Sequence, residues 1–412
     1  MQTNLASWAR NSEVGQEADE ILRRCVHCGF CLATCPTYQI LGDELDSPRG
    51  RIYLIKQVFE GAVPTASTQE HLDRCLTCRN CETTCPSGVD YGALIDIGRD
   101  VVQQQVRRPL GQRIKRYILR RLLNSIWFSF AYKLGRLSRP VLPRALKNKI
   151  VAARPVGSTP DPTRHARKVL LMTGCVQPTM MPTVDAATIR VFDALGFSTI
   201  AARGAGCCGA INFHLDAQKD ALVQMRANID AWLPLLDSGE VEAVVVNASG
   251  CGAMLKDYPR HLQHDPEYVA KAFRLASKVR DVAEIVAPQA AQLKARLSGL
   301  PESVAFHPPC TLQHWQGLSS LTEKMLRDLG FRLLPFSDAH LCCGSAGTYS
   351  LTQPDLSLSL RDRKVQSIQA VGAGGVVSSN VGCIAHLQSG TRLPVRHWIE
   401  VVDEALDTQT GV

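Results

Sequence analysis

The sequence predicts a multidomain α+β chain, in which a mainly α-helical N-terminal domain precedes two duplicated, Rossmann-like α/β units. Three observations carry that prediction. Eight of the 16 cysteines crowd into two tight runs between Cys25 and Cys85. The other eight recur at matched, wide intervals from Cys175 onward. Around this second set, short β-branched runs alternate with helix-period segments of about ten residues, as parallel sheets require.

The first run reads Cys25-x2-Cys28-x2-Cys31-x3-Cys35-Pro36 and the second Cys75-x2-Cys78-x2-Cys81-x3-Cys85-Pro86. A spacing of two residues lets one tight turn present three thiolates to a cubane cluster, and the fourth cysteine, followed by proline, serves the neighbouring cluster of a pair. The runs therefore predict two [4Fe–4S] clusters, one held by Cys25, Cys28, Cys31 and Cys85, the other by Cys75, Cys78, Cys81 and Cys35. Structural zinc sites separate their Cys-x2-Cys knuckles by a longer loop, which sets zinc well behind. Between the runs, Ser47-Pro48 starts a helix through IYLIKQVFEG, with Ser47 as cap and Pro48 in the first turn. That helix is too long for a minimal bacterial ferredoxin, so a helical variant of a two-cluster ferredoxin-type domain is expected over residues 1–105. Arg49 and Arg51 on this helix read either as offsets to cluster charge or as ordinary solvated or ion-paired arginines.

The C-terminal part is an internal repeat. Cys175 precedes the Cys207-Cys208 pair by 32 positions, and Cys310 precedes Cys342-Cys343 by 32. Each pair opens a Cys-Cys-Gly tripeptide, and each half closes on a valine run leading to Gly250-Cys251 or Gly382-Cys383. Strands are expected from Lys168 and from Ser303 toward the cysteines, and helices over Asp185–Leu195 and Leu318–Leu329. In such sheets, loops at the carboxyl ends of strands carry the ligands. The halves, 166–300 and 301–412, thus each offer four thiols to a metal site: Cys175, Cys207, Cys208 and Cys251, and Cys310, Cys342, Cys343 and Cys383. A buried, reduced thiol set is the competing reading. Gly204-Ala205-Gly206-Cys207-Cys208-Gly209 also matches a dinucleotide fingerprint after an expected strand, Ser198–Ala202. The second half keeps the cysteines of this stretch and not its first two glycines, so a nucleotide site is rejected.

Residues 106–165 form a basic linker. Between Arg107 and Arg154 there are 14 Lys or Arg and no Asp or Glu, against 32 basic and 38 acidic residues elsewhere. Arg113, Arg116 and Arg120 share one helical face opposite Ile114, Ile118 and Leu122, and IWFSFAY adds interfacial aromatics. A membrane surface rich in anionic lipid, contacted through residues 107–154, and a docking helix for a partner subunit fit about equally. Nucleic acid is not expected, because no recognition module accompanies the charge. The N-terminus lacks an apolar secretory core, and no stretch reaches the ~18 apolar residues of a membrane span, so a reduced, cytoplasmic setting is expected.

CVHCGFCLATCPTYQ, LGDELDSPRGRIYLIKQV, HLDRCLTCRNCETTCPSG and LCCGSAGTY together resemble the iron–sulfur subunits of glycolate oxidase (glycolate dehydrogenase) over nearly the whole chain. The same architecture occurs in the anaerobic glycerol-3-phosphate dehydrogenase iron–sulfur subunit and in heterodisulfide-reductase-type proteins. The resemblance implies a complex in which a flavoprotein oxidises glycolate to glyoxylate and this subunit passes electrons toward membrane quinone, peripherally on the cytoplasmic face of the inner membrane. The substrate-oxidising site would then lie on another chain. A subunit of another flavin dehydrogenase (glycerol-3-phosphate or lactate), or a heterodisulfide-reductase-type enzyme, is the alternative. In heterodisulfide reductases each repeat ends in Cys-x2-Cys and binds a non-cubane cluster. Here Ala248 and Asn380 stand at the first of those cysteines. A four-iron cluster, a zinc or an empty site in one half all stay open.

Overall fold

The computed structural model describes residues 1–141 and 150–406; residues 142–149 of the basic linker, Pro143 among them, and 407–412 lie outside the described residues. The chain divides into two units, Met1–Tyr117 with His340–Lys364, and Ile118–Ala339 with Val365–Val412.

The first unit is helical. Ser47 caps the helix Pro48–Phe59 as expected, its hydroxyl accepting from the Gly50 amide at 2.9 Å. Ser12 and Asp90 do the same for Glu13–Arg24 and Tyr91–Gln105. These three helices bury Leu22, Ile55, Phe59, Leu94 and Ile95 in one core, with Cys25, Cys75 and Cys81 at its edge. Full burial of each large side chain contributes roughly 1.5–3 kcal/mol, which holds the cysteine loops on a rigid base. The segment His340–Lys364, distant in sequence, belongs to this unit. Asn80 donates to the carbonyls of both Thr34 and His340, and the Tyr349 hydroxyl donates to the Arg74 carbonyl at 2.9 Å.

The second unit holds two parallel sheets. Strands β1 (Arg167–Leu171), β2 (Phe197–Ile200), β3 (Val244–Val246) and β4 (Val279–Asp281) are ordered β2-β1-β3-β4, with Lys168 beside Ser198 and Leu170 beside Val244. Strands β5 (Ala305–Phe306), β6 (Val376–Ser378) and β7 (Val395–His397) are ordered β5-β6-β7. The valine runs are the inner strands β3 and β6, buried throughout, because helices cover both faces of such sheets. The α+β class with parallel α/β units is therefore the observed one. Strand β5 stops early for a local reason: Pro308 and Pro309 have no N–H to extend the ladder. The expected helices form over Pro182–Ala194 and Ser319–Leu329.

Within this unit the two halves of the repeat are joined by their helices. Pro182–Ala194 packs on Trp398–Ala405, with Arg190 bidentate on Asp403 and Thr183 donating to Glu400 at 2.6 Å. The buried His397 ring donates from Nε2 to the Asn247 carbonyl and accepts at Nδ1 from the Ile399 amide. Burial depresses its pKa to about 3, so the imidazole is a neutral structural link at physiological pH.

Candidate metal centres

The two cysteine runs adopt one loop geometry. Each first cysteine follows a helix, Glu13–Arg24 or Ala66–Asp73, and the chain then reverses through left-handed residues two and four positions on. These are His27 and Gly29 in the first loop, Thr77 and Arg79 in the second. Three of the four are not glycine, so each holds a backbone costing about 1–3 kcal/mol. The reward is that the thiols turn inward: the Thr77 amide points at Cys75 Sγ, 3.4 Å away. In the first run the fourth cysteine, Cys35, caps the short helix Pro36–Leu41, and the proline that follows it fills the first helical position.

The eight sulfurs line two cavities. Cys25, Cys28, Cys31 and Cys85 line a space of about 440 Å³, part of it open to solvent. Cys35, Cys75 and Cys78 line a second of about 300 Å³. Cys81 contributes to the walls of both. The geometry thus brings Cys85 to the first loop and Cys35 to the second.

Electrostatics in these cavities suit a cationic inorganic group. Burial, then the neighbouring Cys25, pushes the Cys31 thiol up to about 11. Burial raises Cys25, Cys35 and Cys81 as well, with adjacent sulfurs adding to the effect. Burial thus disfavours the thiolate form of these four residues, and bound iron would supply the positive charge that stabilises thiolates here. The donor set, the spacing and the size of the two spaces fit two [4Fe–4S] clusters.

In the second unit, Cys175, Cys207, Cys208 and Cys251 meet at the carboxyl ends of β1, β2 and β3. Hydrogen bonds from Cys175 and Cys208 hold the Cys207 thiol well below its ordinary range, and Cys208 is bonded to Cys251 in turn. The Cys-Cys backbone is clamped by two residues that spacing arguments did not single out. Asn228 accepts from the Gly206 amide at 2.8 Å and donates to the Cys207 carbonyl at 2.9 Å, while the Tyr258 hydroxyl donates to the Cys208 carbonyl at 3.0 Å. The Gly206 amide of the fingerprint-like loop is therefore taken up inside the chain.

The second set is divided between the units. Cys310, just before the helix Thr311–Trp315, and Cys383, in the helix Val381–Gln388, lie in the second unit. Cys342 and Cys343 lie in the first unit, where the Gly344 amide donates to Cys342 Sγ at 3.4 Å. Asn380, standing where a further cysteine would be, caps the helix Val381–Gln388 by accepting from the Gly382 amide, and it donates to Ser249 Oγ at 3.2 Å. Ser249 also bonds Thr311 at 2.8 Å. Asn380 thus has a structural task that a thiol would perform poorly.

Of the helix arginines, Arg51 is buried in the wall of the second cavity, whereas Arg49 reaches the first cavity from a partly exposed position and pairs with Glu44 at 2.7 Å.

Comparison with known proteins adds to this geometry. The 4Fe-4S dicluster domain family matches residues 21–89, and the Cysteine-rich domain family matches residues 169–256 and 304–388. The chain is 51% identical over 410 residues to the glycolate oxidase iron-sulfur subunit of Escherichia coli (strain K12), covering 99% of this chain and 100% of that one. It is 29% identical over 399 residues to a Bacillus subtilis (strain 168) protein named "Probable glycolate oxidase iron-sulfur subunit", covering 90% and 89%. It is also 26% identical over 251 residues to lactate utilization protein A of Exiguobacterium sp. (strain ATCC BAA-1283 / AT1b), covering 58% of this chain and 98% of the relative.

Proposed function

The chain belongs to the family of glycolate oxidase iron–sulfur subunits, and from that premise we propose that it accepts electrons from a partner flavoprotein that oxidises glycolate to glyoxylate and passes them toward membrane quinone. The observation that carries the electron-transfer role is the pair of cysteine-lined cavities, five cysteines around one and four around the other, that share Cys81. We assign Cys25, Cys28, Cys31 and Cys85 to one [4Fe–4S] cluster and Cys75, Cys78, Cys81 and Cys35 to the other. When bound, each cluster takes up and releases single electrons. The protein's own part is to hold the thiolates, shield them and set the surrounding charge. The Tyr91 hydroxyl donates to Cys75 Sγ at 3.6 Å, and the Thr37 hydroxyl lies 3.2 Å from Cys35 Sγ. Cys175, Cys207, Cys208 and Cys251 would hold a further iron–sulfur cluster or a zinc.

The test is reconstitution with a candidate flavoprotein. Glycolate-dependent dye reduction is expected only when both proteins are present, with lactate as the competing substrate in parallel. Reduction by this chain alone would place the oxidising site here and defeat the proposal.

Membrane contact is the second part of the reading. No described helix is long and apolar enough to cross a membrane. The helix Ile126–Leu137 nevertheless exposes Trp127, Phe130, Leu134 and Leu137 along one face, at 55% or more each. Some of the positive charge in the linker is already used: Arg108 and Arg116 pair with Asp73, and Arg120 donates to the Leu215 carbonyl. An interfacial helix on the cytoplasmic face of the inner membrane would therefore be held mainly by its apolar face, with charge second. Replacing Trp127, Phe130 and Leu134 by serine is expected to cut binding to anionic lipid vesicles at least tenfold, since each buried side chain contributes roughly 1.5–3 kcal/mol. High salt should weaken the wild type less than that. Unchanged sedimentation of the triple variant with vesicles would rule this helix out as the anchor.

A further inference from the structure

The two cavities differ in fixed charge. Arg51 is 1% exposed and lines only the second. Its Nε donates to the His71 carbonyl at 2.7 Å, and both terminal nitrogens donate to Thr37 Oγ1 at 3.2 Å. That same Thr37 oxygen is the one 3.2 Å from Cys35 Sγ. Asp46, fully buried, faces Arg51 at 3.3 Å and Arg74 at 2.9 Å. Arg74 also pairs with Glu70 at 2.5 Å and the His71 ring lies 3.2 Å from Asp46, so the charges are matched in number; but of the Arg51–Asp46 pair only Arg51 lines the second cavity, which turns the positive end toward it. A guanidinium keeps its proton even when buried, and the Asp46 carboxylate beside Arg51 favours the charged form. At the first cavity the corresponding cation is Arg49, a third exposed and matched one-to-one by Glu44, so water and its partner screen it.

We propose that Arg51 sets the cluster held by Cys35, Cys75, Cys78 and Cys81 at a higher reduction potential than its neighbour, so that electrons run from the Cys25 loop to the Cys75 loop. The inference rests on the ligand division assigned above. An added electron makes a cluster more negative, and a buried cation beside it stabilises that form in a medium of low dielectric. The step moves one electron from the first cluster to the second with no atom transferred, and a reduced flavin, or dithionite in the test, supplies it. The direction suits the fold of the first unit. Arg74 and Asn80, which flank Cys75 and Cys78, bond Tyr349 and His340 of the segment that carries Cys342 and Cys343. Electrons arriving at the second cavity arrive beside that cysteine pair.

The experiment is a potentiometric titration of the cluster-loaded chain, followed by electron paramagnetic resonance, with signals assigned through Cys28→Ser and Cys78→Ser. Arg51→Gln is expected to lower the reduced-to-oxidised ratio of the second cluster at fixed potential at least tenfold, which is about 59 mV for one electron. The first cluster should move less than twofold. Arg51→Lys, which keeps the charge, should recover most of the shift, and Asp46→Asn should displace the same cluster in the opposite direction. A fully loaded Arg51→Gln protein with both ratios unchanged, or with both shifted equally, overturns the proposal. Should Arg51→Gln fail to load, Asp46→Asn decides alone: a raised ratio at the second cluster supports the assignment and an unchanged one overturns it. A wrong ligand division would show itself separately, in the electron paramagnetic resonance spectrum of Cys35→Ser.

Discussion

Replacing Cys35 with serine is expected to abolish the signal of the cluster held by the Cys75 loop while sparing that of the Cys25 loop, and to lower bound iron by one cluster of the two. Cys35 sits ten residues after Cys25 in sequence, yet its sulfur lines the cavity of Cys75 and Cys78 and is absent from the walls of the other. It is held there. The sulfur lies 3.2 Å from Thr37 Oγ1, and the residue itself stands at the N-cap of a proline-led helix. Serine keeps that backbone but offers a protonated hydroxyl in place of a soft thiolate, leaving three ligands for a cluster that needs four. The mirror variant, Cys85→Ser, should remove the Cys25-loop signal instead. Iron analysis with electron paramagnetic resonance on anaerobically prepared variants decides the matter. Loss of only the Cys25-loop signal in Cys35→Ser would refute the crossed arrangement.

Much of this site was legible because its chemistry is local. Four cysteines within eleven residues, closed by proline, constrain a loop before any tertiary contact forms. The cap at Ser47 is local in the same sense. Arg51 is legible by helix phase: it shares a face with Ile55, Val58 and Phe59, all buried, whereas Arg49 falls with Tyr53 and Lys56. The sequence motif set the two arginines side by side, and the periodicity separates them. What spacing could not reach is non-local. Asn228 and Tyr258 come from helices some twenty to fifty residues beyond the Cys-Cys pair they clamp. The left-handed Thr77 and Arg79 have no residue signature, since neither is glycine or asparagine. The grouping of His340–Lys364 with the N-terminal helices rests on contacts such as Tyr349 to Arg74, which the repeat pattern actively obscures.

Alanine at Gly344 is expected to destabilise the Cys342–Cys343 segment more than any other change in the Cys-Cys-Gly tripeptides, by about 3 kcal/mol or more. Two costs coincide there. The backbone is left-handed, with φ of +87°, which an alanine adopts only under strain. A Cβ would also collide with the Ser357 carbonyl oxygen and lie 3.0 Å from Leu360 Cβ. Neither neighbour can yield freely, because Ser357 is buried and its hydroxyl donates to the Gly344 carbonyl at 2.7 Å. Gly209, the counterpart in the first half, has φ of +93° but only a 3.2 Å approach to the Ala221 carbonyl. Alanine there should cost about 1–2 kcal/mol, the backbone term alone. The tripeptide glycine is thus demanded by packing in one half and chiefly by backbone conformation in the other. Hydrogen exchange of residues 340–364, compared between Gly344→Ala and Gly209→Ala, reads the difference directly. Equal protection of that segment in both variants would mean that the Ser357 carbonyl gives way, and that the glycine is needed for its φ alone.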